Sequence, residues 1–209
     1  MNWLAHFLLA EPDPAFQVGS ILPDLLPPGA LANLSQEYRR GIEHHHLIDA
    51  FTDSHPIVRR SLLNFGAPFR RFRGVITDVF YDHFLARDWD SFSPVPLPQF
   101  ADRIYSSFEI CRAHVPLEAC VCFERMRTQN WLCSYQEVSG IALALSRMGA
   151  RLRRPVDLGD SVSVLEQHYD VFRRDFRAFF PELVSRVSAS YKVSALIDPS
   201  RTAHASIKQ

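Results

Sequence analysis

Six of the nine histidines stand in the first 83 residues: His6, His44, His45, His46, His55 and His83. Aspartates are set among them. In EHHHLIDAFTDSHP, His45, Asp49 and Asp53 follow one another at four-residue steps, so on a helix they share one face. Ile48 and Phe51 point the other way and would bury that helix. In DVFYDHF, Asp78 and Asp82 repeat the four-residue step, and His83 follows at once. Asp24 closes a third segment, GSILPD. Imidazole and carboxylate are donors that divalent ions such as Mn²⁺ and Mg²⁺ favour. Two helices each offering such a pair can converge on one ion, which would make water more acidic and neutralise a phosphate oxygen. The same residues also suit helix caps, surface charges and a core histidine.

Other chemistries have less support. The chain has eight glycines and no glycine cluster, so there is no phosphate-cradling loop, and no GxSxG elbow occurs. Cys111, Cys120, Cys122 and Cys133 match no zinc-ribbon or CxxC spacing and read as core thiols of a reducing compartment. Nothing marks a serine or cysteine nucleophile.

The elements that would carry these residues are helical. A short helix is expected over 1–10, halted by Pro12 and Pro14, and a second apolar segment over 17–26. Ser35 is placed to cap a long helix ending near Ser54, before Pro56. A short helix over 56–64 follows. Pro68 is expected to open a helix through Arg87, in which Phe69, Phe72, Ile76, Val79 and Phe80 fill one arc. His83 lies near the middle of that arc, with Asp78 and Asp82 along its edge. Charges bordering a buried stripe are costly unless paired or bound to a metal. Further helices are expected near 100–111, over 116–135, over 138–148 and over 157–179. The reading is one all-α domain over 1–187, with 188–209 a polar, frayed tail.

Composition agrees with a globular protein: 47% apolar and 22% charged residues. No apolar run is long enough for a transmembrane helix, and MNWLAHFLLA lacks a basic leader and a cleavage site, so a cytoplasmic location is expected. Basic and acidic residues balance at 23 each, which argues against nucleic-acid binding through bulk charge. Of the 23 basic residues 21 are arginine, clustered in RRFR (70–73) and RLRR (151–154), with Arg147 nearby. Such clusters suit a phosphate or an acidic partner, and equally an ordinary solvated face.

Several blocks, in order, resemble the acyl carrier protein phosphodiesterase family. MNWLAHFLLA is similar to its opening, and GSILPDLL to its next block. GIEHHHLIDAFTDSHPIVR places His45, Asp49 and Asp53 on a family motif. RRFRGVITDVFYDHFLARDW places Asp78, Asp82, His83 and Trp89 on another, and NWLCSY and 148–154 fit weaker blocks. Ser20, Pro23, His44 and His46 depart from the pattern, and LPPGALANLSQEYRR matches weakly.

The resemblance implies an all-helical fold distantly related to the HD phosphohydrolases. It implies Mn²⁺-dependent hydrolysis of the phosphodiester joining 4′-phosphopantetheine to a serine of holo-acyl carrier protein, with Mg²⁺ as the other ion and no organic cofactor. On that basis Asp24, His45, Asp49, Asp78 and Asp82 are expected as metal ligands, and His6 and His83 as ligands or orienting groups. Asp24, His45, Asp82 and His83 are expected in catalysis. Arg70, Arg71, Arg73, Arg151, Arg153 and Arg154 are candidates for holding the acidic carrier protein. Two alternatives share these residues: a phosphohydrolase of small phosphoesters such as nucleotides, and a non-catalytic helical protein that binds the carrier.

Overall fold

Helix α6 (Arg73–Arg87) runs through the middle of the molecule, and a computed structural model describes residues 1–154 and 156–192 around it. Its residues Val79 to Ala86 are buried on every side, the mark of a helix enclosed by others and not lying on a surface. Helices α1 (Trp3–Leu9), α10 (Val138–Ala150) and α12 (Tyr169–Ser188) pack around it. The remaining helices are α2 (Pro14–Gly19), α3 (Leu22–Leu25), α4 (Gln36–Ser54), α5 (Pro56–Ser61), α7 (Leu97–Cys111), α8 (Leu117–Thr128), α9 (Trp131–Ser134) and α11 (Val162–Gln167). There is no strand among the described residues, so the all-α expectation holds.

Most departures from the expected boundaries have local causes. Helix α2 starts at Pro14 and not near Gln17. The Asp13 carboxylate accepts from Phe16 N at 2.8 Å, and proline at the first helical position opens a helix as readily as it stops one. Helix α6 begins at Arg73, after a tight turn over Phe69–Arg71. The expected helix 116–135 is two helices, because Asn130 takes the left-handed conformation (φ 44°) that asparagine tolerates. The expected helix 157–179 breaks at His168. Ser35 precedes α4 as expected but makes no side-chain capping bond. Of the tail, Tyr191 packs edge-on against His44 and Phe16, and 193–209 lie outside the described residues.

Two ion clusters tie α12 to its neighbours. Asp88, just past α6, accepts from Arg173 and Arg177. Asp175, fully buried, accepts from Arg60 and from Ser61 Oγ at 2.9 Å, and Tyr81 donates in turn to Ser61 at 2.8 Å. Helices α2 and α4 approach backbone to backbone at Gly19 and Gly41. A Cβ at Gly41 would run into the Phe16 carbonyl and stand 2.9 Å from Gly19 Cα. This crossing lets the chain just after α2 touch α4.

Candidate metal and phosphoester site

His45 and Asp49 come from α4, one turn apart on the face toward α1 and α3. The Ser20 carbonyl, brought in by the Gly19–Gly41 crossing, lies 2.9 Å from His45 Nδ1. A carbonyl can only accept, so Nδ1 carries the hydrogen and Nε2 is the working nitrogen. His45 Nε2 faces Asp49 Oδ2 at 3.0 Å and Asp24 Oδ1 at 3.8 Å. Those oxygens also only accept. A neutral imidazole would therefore set lone pair against lone pair, and the geometry asks for positive charge: a proton on Nε2 or a cation beside it. Burial pushes the His45 pKa down, but the hydrogen bond and charge of Asp49, with the charge of Asp24, outweigh it and hold it above the ordinary value.

His6, fully buried on α1, stacks on His45 with ring centroids 4.4 Å apart. Its Nε2 lies 3.2 Å from Asp49 Oδ1 and 3.2 Å from the Met1 carbonyl, while its Nδ1 is buried without a partner. Burial holds its pKa down. For Asp49, burial pushes upward, and the hydrogen bonds from His45 and His6 more than reverse it, so its carboxyl stays well below the usual range. The Met1 amino group stands 3.0 Å from Asp78 Oδ1 and 3.6 Å from Asp49 Oδ1, marking a place where positive charge is favoured. Burial raises the Asp78 pKa, and that amino group offsets only part of the rise.

Among the described residues, His6, His45 and Asp49 bring donor atoms within 4.8 Å of one another, a set that fits a divalent cation. His45 has the support expected of a metal-bound histidine, its other nitrogen fixed on a carbonyl; His6 lacks it. Asp24, Asp49 and Asp78 line a cavity of about 240 Å³. Trp131 lines the same cavity with Ala144, Arg147, Met148 and Arg151, four positions that share one face of α10 and its C-terminal end. Trp3 joins the two groups: its indole donates to Asp24 Oδ2 at 2.8 Å, and its ring stacks on Trp131 at 5.8 Å.

Asp82 and His83 lie elsewhere. Both Asp82 oxygens accept from the first turn of α1, at 2.7 Å from Leu4 N and 3.3 Å from Ala5 N. Burial pushes this carboxyl up to about 8, against those amides. His83 is fully buried, with Nδ1 2.8 Å from the Tyr135 carbonyl and Nε2 3.0 Å from the Tyr169 hydroxyl. Asp53 is exposed at the end of α4. Of the arginine candidates, Arg151 lines the cavity; Arg70, Arg71, Arg153 and Arg154 are exposed, and Arg73 is half-buried. Sequence reasoning missed Trp3, Trp131, Tyr135 and Met148 as parts of one cavity. The repeat 144, 147, 148, 151 was the available signal.

A family profile described as acyl carrier protein phosphodiesterase matches residues 1–183. The chain belongs to the acyl carrier protein phosphodiesterase family. Relatives carrying that name include a Yersinia enterocolitica protein, 32% identical over 191 residues, covering 89% of this chain and 97% of its own. An Escherichia coli relative is 30% identical over 189 residues, covering 90% and 98%. No solved structure matches the chain, so the expected kinship with HD phosphohydrolases stays without structural support. No helix among the described residues is long and apolar enough to cross a membrane.

Proposed function

We propose that the chain hydrolyses the phosphodiester between 4′-phosphopantetheine and the serine of holo-acyl carrier protein, using a divalent cation, Mn²⁺ ahead of Mg²⁺. The observation that carries this reading is the meeting of two buried imidazoles on Asp49, a carboxylate that itself lines a cavity with Asp24 and Asp78, in a chain of this family. His45 and Asp49 would hold the ion, with His6, Asp24 and Asp78 beside them. A cation bound there supplies Lewis-acid chemistry, drawing charge from a phosphoryl oxygen and making water a better nucleophile.

The protein residues divide the remaining work. Asp24 Oδ1 is open to the cavity and accepts a proton from the attacking water, while Trp3 holds its other oxygen. Oxygen bonds to phosphorus as the bond to the serine oxygen breaks, and that oxygen takes up a proton at the cavity mouth. The products are the apo carrier and 4′-phosphopantetheine. Asp82 and His83 act as positioning residues. Asp82 fixes the first turn of α1, which carries Trp3 and His6, and His83 fixes the Tyr135 backbone at the cavity. Exposed Arg70 and Arg71 precede α6, whose Val75 and Asp78 reach the cavity; Arg153 and Arg154 follow α10. Exposed basic residues next to two helices that line the cavity suit an acidic carrier.

Asp49→Asn and His45→Ala test the assignment. Each should keep its helical circular dichroism and lose turnover of holo carrier by a factor of about 10² or more. Full turnover in either would remove the cluster from the reaction.

A further inference from the structure

Arg147 lines the cavity, and the proposed reaction gives it no task. It stands in the third turn of α10 and lines the same cavity as Asp24, Asp49 and Asp78. Its guanidinium lies 4.9 Å from the centre of the Trp131 ring, the same ring on which Trp3 stacks. No acidic side chain among the described residues forms an ion pair with it, although three line the same cavity. A half-buried guanidinium held on an aromatic face is oriented with little freedom left to lose, and its fork of N–H groups matches an oxyanion. Ala144 stands one turn before it, and Met148, the next residue and one turn after Ala144, also lines the cavity; the two present an apolar surface beside the charge. The lining thus offers an anion site next to an apolar strip, in the same cavity as the carboxylates.

We propose that Arg147, seated on Trp131, anchors the non-bridging phosphate oxygens of the substrate's phosphopantetheine arm, while Trp131, Ala144 and Met148 take the first atoms of the arm itself. This rests on the reading of a phosphodiester substrate. The phosphorus is then held between Arg147 and the acidic residues of the cavity, with water delivered from the Asp24 side. The anchor should favour the product as well, since a phosphomonoester carries more negative charge than the diester. Pantetheine, which lacks the phosphate, should gain little from it. Contact with the carrier protein's own surface is not required, so apo carrier should be indifferent to this residue.

The test compares the wild type with Arg147→Met, Arg147→Lys and Trp131→Phe, each checked for unchanged helical dichroism. Titration calorimetry with 4′-phosphopantetheine, pantetheine and apo carrier reads binding, and initial rates on holo carrier separate KM from kcat. Loss of a charge-assisted pair should weaken 4′-phosphopantetheine binding and raise KM about 10–100-fold in Arg147→Met. The lysine and Trp131→Phe variants should fall between. Pantetheine and apo carrier should bind as they do to the wild type. Unchanged 4′-phosphopantetheine binding in Arg147→Met overturns the anchor, and so does an equal loss for apo carrier, which would make Arg147 a docking contact. If the wild type does not cleave holo carrier but binds 4′-phosphopantetheine through Arg147, the anchor stands and the reaction assignment falls.

Discussion

Replacing Gly41 with alanine should damage the site without touching any of its polar side chains. The added Cβ would stand 2.9 Å from the Cα and carbonyl carbon of Gly19, about 0.6 Å inside a comfortable carbon–carbon separation, and nearer still to the Phe16 carbonyl. All these neighbours are backbone, so no rotamer change relieves the clash and α2 must move away from α4. Overpacking of this kind costs about 3 kcal/mol at its upper end. A chain of this length loses about 2–4 °C of melting temperature per kcal/mol, which gives a fall of about 6–12 °C. Ser20 follows α2 directly, and its carbonyl lies 2.9 Å from His45 Nδ1. A shift of about 0.6 Å along that line stretches the bond to about 3.5 Å, where little of it remains. Loss of the group orienting a metal-bound histidine costs about 10–100-fold in affinity or rate. Calorimetric melting, with Mn²⁺ titration and turnover of holo carrier measured below the melt, reads each part. Gly74→Ala is the control: a Cβ there meets nothing within 4 Å, and it should stabilise α6 by about 0.5–1 kcal/mol. A Gly41→Ala protein that melts, binds Mn²⁺ and turns over like the wild type would refute the chain of reasoning from helix crossing to histidine.

Three further expectations follow from the same structure. Burial pushes the Asp88 pKa up, but hydrogen bonds from Arg173 and Arg177 outweigh it and hold it below the usual 3.8. Its contribution is therefore present above about pH 4 and lost as pH falls through the lowered value. Asp88→Asn should cost about 2 kcal/mol at neutral pH, measured by urea unfolding, and should unfold with a shallower acid dependence; an unchanged acid limb would count against the cluster. Asp82→Ala should cost more than Asp82→Asn, which keeps one acceptor for α1; the alanine loss should be about 2 kcal/mol by the same unfolding assay, and equal losses would argue against the capping role. The double change Arg70→Glu and Arg71→Glu should raise KM for holo carrier about 10-fold at low salt, with the difference fading near 1 M salt, while Mn²⁺ binding stays as it was.

The sequence made the helical class and the acidic and imidazole residues legible because both rest on local spacing. His45 and Asp49 could be paired from a four-residue step alone. The distinction between Asp78 and Asp82 could not: they sit one turn apart on α6, yet one faces the cavity and the other meets the amides of α1. That choice depends on where α1 crosses α6, a long-range fact. His6 and Trp3 belong to the site for the same reason. The part Trp131 plays in the cavity is hidden by the turn at Asn130, whose left-handed backbone takes Trp131 out of the line of α8. Gly19 and Gly41 carry no local signal, because each is required by backbone of the other helix: Gly19 by Tyr38 of α4, Gly41 by Phe16 and Gly19 of α2.

The central claim is that this cavity cleaves the phosphopantetheine arm from a carrier protein with a bound divalent ion. The most direct measurement is the intact mass of holo-acyl carrier protein after incubation with the purified protein, with Mn²⁺ and with a chelator. The account predicts loss of the phosphopantetheine mass with Mn²⁺, none with chelator, and 4′-phosphopantetheine as the released molecule. Unchanged holo carrier in the presence of Mn²⁺ shown to be bound would contradict it.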